Sequence, residues 1–353
     1  MSKKIYIVSQ LGVSNAGGVE KVSWYLQELL KEKYEVCIFT RGKLSFGKLN
    51  NLIQPFLISL KLAFIKPDFV IGNSWHCFLY PADISIHHGT SAGIIKNTGE
   101  GGMALKLTAW MEKVSAKRAR KVLAVSENCK KELVELYKIP EDKIIVLNNF
   151  VQNEIFTPAA EIKKNEENKI NVCFSGALCD KKGIDKLQEF SDFIEGRSFS
   201  SENGSSYQIN LNIATNYERN TGAFKGRINT SLQIGLKGPE MPDFYRQNDI
   251  MFFPTRYEGF SMAALEAVSC GLPIVGTRFA VSPELEGFEF CRLIEGATPV
   301  EQIVNQIIEL WEKYCSPDIK EKEVQKIHEE VKKAFGTQQY KEKLLLLIDD
   351  CMK

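Results

Sequence analysis

The fold is decided by residues 250–273, which read IMFFPTRYEGFSMAALEAVSCGLP. The apolar residues before Pro254 predict a short buried strand, and the apolar segment that starts near Met262 predicts a helix. A loop that contains Gly259 joins the two. At the carboxyl edge of a parallel sheet, the backbone N–H groups of such a loop and the positive end of the helix dipole favour phosphate. We therefore predict that residues 259–262 bind a phosphate group.

The same alternation of strand and helix runs through both halves of the chain, which is typical of parallel α/β sheets. The strands predicted in the first half are residues 5–8, 34–39, 69–71, 84–86, 122–125 and 144–147. The strands predicted in the second half are residues 170–174, 209–213, 234–236, 250–253 and 274–276. Two sheets, one in each half, follow from this pattern.

Two domains account for the length of 353 residues, since one domain typically has about 150. The polar residues 157–169 predict a linker, and residues 197–207, rich in Ser and Gly, predict a surface loop. From residue 298 the pattern is helical throughout. We predict domains at residues 1–155 and 156–337, with a final helix at 338–353 that belongs to the first domain.

The composition limits the classes of partner and compartment. Forty-five Lys and Arg against forty-four Asp and Glu give a net charge of +1, so no general electrostatic field indicates nucleic acid. The nine cysteines include no Cys-x-x-Cys pair, and we expect reduced thiols in a cytoplasmic protein. No uncharged apolar run approaches the roughly eighteen residues of a membrane span. A partner must therefore be indicated by a local patch.

Two glutamates flank the predicted phosphate loop. Glu258 precedes the helix and Glu266 lies about one turn inside it, so the two carboxylates can reach opposite ends of one ligand. The alternative is that Glu258 caps the helix and Glu266 faces solvent, because helix N-termini favour acidic residues. Lys182, a short loop after the first strand of the second half, is a candidate for offsetting phosphate charge. Gly17 and Gly18 either let the backbone approach a ligand closely or form only a tight turn.

Residues 254–277 resemble the donor-site signature of the retaining glycosyltransferases of family four, in which two glutamates are separated by seven residues. Further segments resemble the same family in the same order along the chain: Gly17-Gly18-Val19-Glu20-Lys21, Ala124-Val125-Ser126-Glu127, Asn148-Asn149-Phe150-Val151 with Phe156-Thr157-Pro158, and Lys182-Gly183-Ile184-Asp185 after Phe174-Ser175-Gly176. The resemblance therefore covers nearly the whole chain.

The resemblance implies two Rossmann-like domains facing each other across a cleft, the GT-B architecture, with the acceptor on the N-terminal domain and the donor on the C-terminal domain. The final helix then crosses back to the N-terminal domain. The implied reaction moves a sugar, typically a hexose, from a nucleotide-diphosphate donor to a glycan or lipid-linked acceptor with retention at the anomeric carbon. Bacterial cell-surface polysaccharide or glycolipid synthesis is the implied setting.

The same resemblance implies the roles of individual residues. The implied donor contacts are Gly17, Gly18, Lys182, Gly259, Phe260, Ser261, Met262 and Glu266. Glu258 is implied as a catalytic residue that contacts the donor sugar. No cofactor and no catalytic metal is implied, and the sequence has neither Asp-x-Asp at a strand end nor a His-x-x-x-His pair.

Adjacent histidines follow the predicted strand at 84–86. By resemblance, His87 or His88 contacts the hydroxyls or the transition state of the donor sugar and the other is structural, so both are catalytic candidates beside Glu258. His76 and Asp83 are weaker candidates in the same region. The alternative is that these histidines have a structural role alone.

One position departs from the family, because Ala177 stands where an arginine is usual after the glycine that corresponds to Gly176. Either Lys181 or Arg256 supplies the missing cationic contact, or the donor is held more weakly. The departure motivates a non-catalytic alternative, a module that binds a nucleotide sugar. A further alternative is a sugar-nucleotide epimerase, which uses a related two-domain fold.

Two basic segments of the first half indicate the acceptor side. Residues 43–66 combine apolar side chains with lysines and contain no acidic residue, so they either lie on an anionic membrane or form helices that pack on the sheet. The cluster of Lys113, Lys117, Arg118, Arg120 and Lys121 either attracts an anionic acceptor or is a solvated helix face. We expect a cytoplasmic protein with peripheral contact at the inner face of the membrane.

Overall fold

The structure is a computed structural model that describes residues 4–9, 18–42, 47–161, 168–201 and 203–353. It divides into two compact units, one formed by Met1–Asn149 with Tyr340–Lys353 and the other by Phe150–Gln339. Each unit contains one sheet, and the predicted class of two parallel α/β units is confirmed.

Six parallel strands form the sheet of the first unit. They are β1 (Lys4–Val8), β2 (Glu35–Phe39), β3 (Phe69–Asn73), β4 (Ile84–His87), β5 (Lys121–Ala124) and β6 (Ile144–Val146). Their order is β2-β1-β3-β4-β5-β6, so the direction in which strands are added reverses between β1 and β3. Ligands of open α/β sheets bind at the carboxyl ends of the strands that flank such a reversal.

Among the described residues, five α-helices lie between these strands. They are α1 (Gly18–Leu30), α2 (Asn50–Ile65), α3 (Ser91–Thr98), α4 (Met103–Arg118) and α5 (Glu127–Glu135). A short 3-10 helix, Ser74–Cys77, follows β3 and contacts both α2 and α4. The chain that leaves the carboxyl end of β3 therefore lies between these two helices.

The sheet of the second unit has seven strands. They are β7 (Lys169–Ser175), β8 (Ser198–Ser200), β9 (Ser206–Thr215), β10 (Thr230–Ile234), β11 (Ile250–Phe253), β12 (Ile274–Thr277) and β13 (Cys291–Ile294). The main order is β10-β9-β7-β11-β12-β13, with β8 antiparallel to β9. The reversal lies between β7 and β11. Every residue of β11 and β12 is buried, as expected of inner strands of a parallel sheet covered on both faces.

The helices of the second unit include the one predicted from residue 262. They are α6 (Ile184–Ile194), α7 (Met241–Arg246), α8 (Met262–Ser269), α9 (Pro283–Glu286), α10 (Val300–Tyr314) and α11 (Lys320–Phe335). Val151 and Gly336 form an isolated bridge that brings the two ends of this unit together.

The last helix, α12 (Thr337–Met352), is anchored on the first unit. Asp349 accepts hydrogen bonds from Lys33 Nζ at 2.7 Å and from Tyr34 Oη at 2.6 Å. The Arg120 guanidinium donates to the backbone carbonyl of Cys351. Arg120 therefore belongs to this anchor rather than to a basic surface for an acceptor.

Two local predictions are wrong. The strand predicted at 234–236 is β10, which ends at Ile234 because Gly235 takes a φ of +80° that breaks the extended backbone. The predicted surface loop at 197–207 contains β8 and the start of β9, which pair as a hairpin. The sequence Ser198-Phe199-Ser200 has too few apolar residues to signal a strand, and β8 forms because β9 offers an edge to pair with.

Candidate functional site

The loop after β11 presents a helix N-terminus to the sheet edge. Ser261 precedes α8 and its side chain accepts a hydrogen bond from the backbone N–H of Ala264 at 3.2 Å, which is N-cap geometry. Phe260 and Ser261 are buried, and Met262 is the first residue of the helix. The predicted phosphate loop therefore forms the start of a helix at the β7–β11 reversal.

A second loop, the one after β7, is joined to it by backbone contacts. The Arg256 N–H donates to the carbonyl of Lys181 at 2.8 Å, and Thr255 Oγ1 donates to the same oxygen at 3.2 Å. Gly183 has a φ of +72°, and a Cβ atom at this position would lie 2.1 Å from the carbonyl oxygen of Pro254. Only glycine therefore allows the two loops to approach this closely.

This approach brings Lys182 and Glu258 together as an ion pair. The Lys182 and Glu258 side chains are only 20% and 17% exposed, and Lys182 Nζ lies 4.9 Å from the centroid of the Phe253 ring. Partial burial strengthens the pair relative to one in open solvent. An ion pair whose net charge is zero thus lies at the carboxyl ends of β7 and β11.

Glu266 lies in the interior, so the alternative that it faces solvent is wrong. It is 6% exposed, and Tyr245 Oη donates to its carboxylate at 3.5 Å. Ser175 Oγ lies 2.8 Å from the same tyrosine oxygen. Burial first, and the charge of Glu266 second, raise the pKa of Tyr245 well above its usual value, so the phenol remains a donor. No spacing in the sequence indicated Tyr245, because it lies on a different helix.

The two replacements considered for the missing arginine are placed differently. The Arg256 guanidinium forms an ion pair with Asp185 and donates to the carbonyl of Asp180 at 3.3 Å. Lys181 Nζ lies 5.5 Å from the centroid of the Tyr257 ring. Because Arg256 is already committed to a carboxylate, Lys181 is the better placed of the two.

The adjacent histidines after β4 have different environments. His87 is fully buried, with Nδ1 3.4 Å from Ser74 Oγ and Nε2 3.1 Å from Ser85 Oγ. His88 is half-buried, and its Nε2 lies 3.1 Å from Asn73 Oδ1. His88 is therefore the member of the pair that a ligand can reach.

Asn73 links His88 to the β1–β3 reversal. Its amide nitrogen donates to the carbonyl of Val8 at 2.9 Å and to Ser23 Oγ at 2.8 Å. Gly18, the first residue of α1, follows β1 at this same edge, whereas Gly17 lies outside the described residues. The carboxyl ends of β1, β3 and β4 thus share one polar cluster.

The imidazoles at this edge are held in the neutral form. Burial lowers the pKa of His76 and of His87 to about 3, with a further contribution from His88, and burial lowers the pKa of His88 to about 4. Neutral imidazole both donates and accepts hydrogen bonds, which suits uncharged hydroxyl groups.

Asp83, one of the two weaker candidates, lies at the amino ends of the strands, opposite to the edge that carries the histidines. It precedes the first residue of β4, and its carboxylate accepts a hydrogen bond from the backbone N–H of Val70 at 2.8 Å. It belongs to the scaffold and not to the histidine cluster.

Two carboxylates that the sequence did not indicate, the buried Glu112 and the half-buried Glu132, anchor the loop that carries His88. Glu112 accepts hydrogen bonds from the backbone N–H and the hydroxyl of Ser91, both at 2.8 Å, and from the Tyr137 hydroxyl. Thr90 caps α3 and donates to Glu132 at 2.7 Å. Burial raises the pKa of Glu112 to about 7. These contacts fix the start of α3 two to three residues after His88.

Within the described part of the chain, no group of three or more His, Cys, Asp or Glu side chains is arranged to hold a metal ion. None of the helices described is long and apolar enough to cross a bilayer.

Two mainly parallel sheets, each with one reversal of strand order, and a capped helix beside a lysine–glutamate pair define a two-domain α/β protein of the GT-B type. The chain belongs to the glycosyl transferases group 1 family, whose model matches residues 155–334. The model described as Glycosyltransferase Family 4 matches residues 16–154.

Two curated relatives match parts of this chain. An uncharacterized glycosyltransferase of Methanocaldococcus jannaschii is 27% identical over 251 residues, which cover 70% of this chain and 60% of that protein. An uncharacterized protein in the cps region of Klebsiella pneumoniae is 26% identical over 191 residues, which cover 51% of this chain and 49% of that protein. The chain thus spans about half to three fifths of the length of these relatives.

Solved structures share the fold over nearly the whole chain. Sucrose-phosphate synthase from Thermosynechococcus elongatus has a TM-score of 0.77 at 14% identity and covers 99% of this chain and 98% of its own. Anabaena HepE, in complex with UDP-glucose, has a TM-score of 0.70 at 12% identity, and the match covers 98% of this chain and 99% of HepE. WaaG, a glycosyltransferase involved in lipopolysaccharide biosynthesis, has a TM-score of 0.66 at 13% identity, and the match covers 96% of this chain and 95% of WaaG.

Proposed function

We propose that this protein transfers a sugar, typically a hexose, from a nucleotide-diphosphate donor to a glycan or lipid-linked acceptor. The observation that carries the proposal is the pair of Lys182 and Glu258 beside the Ser261-capped N-terminus of α8. A diphosphate sugar needs a cation and amide donors at its phosphates and a hydrogen-bonding carboxylate at its sugar. This edge of the sheet offers all three.

Each group then has a defined role toward the donor. Lys182 and the N–H groups of residues 259–262 meet the diphosphate, Glu266 accepts from the ribose hydroxyls, and Glu258 contacts the sugar. When the donor binds, its diphosphate competes with Glu258 for Lys182. The freed carboxylate can then turn to the sugar hydroxyls, so donor binding itself prepares the contact.

The proposed reaction proceeds with retention and without a catalytic metal. Lys182 and the loop amides stabilise negative charge as it develops on the departing diphosphate. An oxygen of that diphosphate takes the proton of the acceptor hydroxyl on the same face of the sugar. Neutral His88 bonds to sugar hydroxyls, and the fully buried His87 supports the strand end. The first unit binds the acceptor and the second the donor.

The proposed setting is cell-surface polysaccharide or glycolipid synthesis in bacteria, in the cytoplasm and at the inner face of the membrane. The names of two relatives support it, since one is involved in lipopolysaccharide biosynthesis and another belongs to a cps region. Seven of the nine free cysteines are buried thiols, which is typical of a reducing compartment.

Thermal unfolding with a panel of nucleotide sugars tests the donor site. A true donor present at ~100 times its dissociation constant adds about 2.7 kcal/mol to the free energy of unfolding. The Glu266→Gln variant should lose most of this stabilisation, while Glu309→Gln, on the exposed face of α10, should keep it. A Glu266→Gln variant stabilised as strongly as the parent would contradict the ribose contact.

Product analysis separates the rival functions. Transfer to an acceptor with the donor's anomeric configuration, seen by NMR, is the expected result. Conversion of the donor alone into its epimer would identify an epimerase. Tight donor binding without transfer to any glycan or lipid-linked acceptor would identify a binding module.

A further inference from the structure

Helix α2 buries only one of its faces. Ile58 and Leu62 pack against the sheet with Val8, Val70 and Cys77. The opposite ridge carries apolar side chains at every fourth position that remain exposed: Leu52 by 37%, Phe56 by 49%, Leu60 by 46% and Phe64 by 80%. Packing on the sheet therefore accounts for half of this helix and leaves an apolar ridge in solvent. Lys43 and Phe46, at the start of the segment, lie outside the described residues.

The exposed apolar area continues onto α4. Phe78 packs against Trp110 of α4 with ring centroids 5.6 Å apart, and the next residue, Leu79, donates its backbone N–H to Ser59 of α2 at 3.3 Å. Trp110 is 51% exposed and Met103 is 82% exposed. Helices α2 and α4 both contact the 3-10 helix Ser74–Cys77, and the exposed apolar side chains on and next to them are together called the α2–α4 surface: Leu52, Phe56, Leu60, Phe64, Leu79, Met103 and Trp110. Adjoining apolar side chains exposed to this degree mark an interaction site.

The charges on and next to the α2–α4 surface are mostly basic, and the exposed acidic residues near the helix ends are Asp68 and Glu100. Lys61, Lys66 and Lys106 are exposed, and Lys117 and Arg118 lie at the end of α4. Helix α2 contains no acidic residue, and the single carboxylate of α4, Glu112, is buried and hydrogen-bonded to Ser91 and Tyr137. The surface therefore offers apolar and aromatic side chains with a predominantly basic rim.

We propose that the α2–α4 surface docks on an anionic lipid bilayer. Phe, Leu and Trp side chains enter the boundary between headgroups and acyl chains, and the lysines pair with anionic headgroups. A second copy of the chain fits less well, because a two-fold contact would place basic rims against each other. The docking rests on the proposed function in one respect, since it explains how a lipid-linked acceptor reaches the enzyme.

Sedimentation with lipid vesicles tests the docking. The full chain should bind vesicles that contain phosphatidylglycerol, bind vesicles of phosphatidylcholine alone more weakly, and lose the difference at high salt. Phe56→Ser combined with Phe64→Ser should lower the partition coefficient about tenfold, because the insertion of apolar side chains is lost. Lys61→Gln combined with Lys106→Gln should remove mainly the preference for anionic lipid.

Matched controls use exposed apolar residues away from this surface. Leu346→Ser on α12, 70% exposed, and Ile228→Ser in the second unit, 86% exposed, should bind vesicles as the parent does. Equal losses in these controls would overturn the assignment of the surface. Concentration-dependent dimers that the Phe56→Ser, Phe64→Ser variant abolishes, with no vesicle binding by the parent, would also overturn it, in favour of a second copy.

Donor stabilisation measured on the same preparations separates this inference from the proposed function. Loss of vesicle binding with donor stabilisation intact overturns the docking alone. Vesicle binding without stabilisation by any nucleotide sugar leaves the docking standing and overturns the proposed donor site.

Discussion

The carboxyl edges of the two sheets carry different chemistry on similar topologies. At β7 and β11 the second unit presents a charged pair, Lys182 and Glu258, close to the buried Glu266. At β3 and β4 the first unit presents His88 and Asn73, a cluster that bears no charge at neutral pH because burial lowers the pKa of His88 to about 4. Strand order puts both edges where ligands bind, and only the side chains decide which ligand.

The difference teaches what each edge can bind. In the proposed function, a diphosphate breaks the charged pair and replaces the carboxylate as the partner of the lysine. A neutral cluster suits hydroxyl groups, which exchange hydrogen bonds without adding or removing charge. The following variants and conditions test this division, from the largest expected effect to the smallest.

Removal of the cation should have the largest effect. Lys182→Ala removes the main cation that faces the departing diphosphate, and we expect kcat to fall about 10²- to 10³-fold, the usual loss for one such stabilising group. Steady-state rates with saturating donor measure it. Lys313→Ala, which breaks the surface pair with Glu289, is the control and should keep full activity. A Lys182→Ala rate within threefold of the parent would remove Lys182 from the site.

Substitution of the reachable histidine should have the next largest effect. His88→Ala removes hydrogen bonds to sugar hydroxyls, and we expect kcat/KM to fall about 10- to 100-fold, in line with about 1.4 to 3 kcal/mol. The neighbouring His87→Asn variant is the control, because full burial of His87 predicts a loss of stability rather than of turnover. The reverse outcome would exchange the roles of the two histidines.

Acid should lower the free energy of unfolding through the neutral histidines of the first unit. The pKa values of His76, His87 and His88 are lower in the native state than the usual 6.5, so below pH 6.5 the unfolded chain binds protons that the native state does not. Each histidine then costs about 1.4 kcal/mol of stability per pH unit until its own pKa is reached. Urea unfolding followed by tryptophan fluorescence at several pH values measures the slope.

Glu112 acts in the opposite direction and provides an internal control. Its native pKa of about 7 lies above the usual 4.5, so the native state holds the extra proton and this contribution rises as the pH falls between those values. Glu112→Gln removes this stabilising contribution, which in the parent opposes the effect of the histidines. The free energy of unfolding of the variant should therefore fall more steeply between pH 6.5 and 4.5 than that of the parent. Identical slopes would contradict the burial argument for Glu112.

The smallest effect concerns the second cation of the charged edge. Lys181→Gln should raise the dissociation constant of the donor about twofold to fivefold, because a solvent-screened charge contributes at most about 1 kcal/mol. Arg256→Gln should change it less, since the guanidinium is held by Asp185. Titration calorimetry with the best donor measures both. A larger loss in Arg256→Gln would mean that the arginine leaves Asp185 for the diphosphate.

The sequence by itself determined the fold class and the loop at 250–273. Strand, glycine loop and helix follow one another there within a few residues, so local periodicity and capping are enough to predict the element and the edge on which it lies. Those signals could not predict β8, whose pairing depends on a neighbour that forms elsewhere.

Only the tertiary structure decided which side chains meet. Lys182 and Glu258 are 76 residues apart, and the absence of a Cβ atom at Gly183 lets their loops touch. His87 and His88 are equivalent as neighbours in sequence, yet His87 is the last residue of the buried strand β4, whereas His88 follows the end of the strand and is only half-buried. Helix α2 has apolar residues on all of its faces, and only the sheet beneath it determines which ridge is left in solvent. Contacts of this kind depend on distances between remote elements, which periodicity along the chain does not encode.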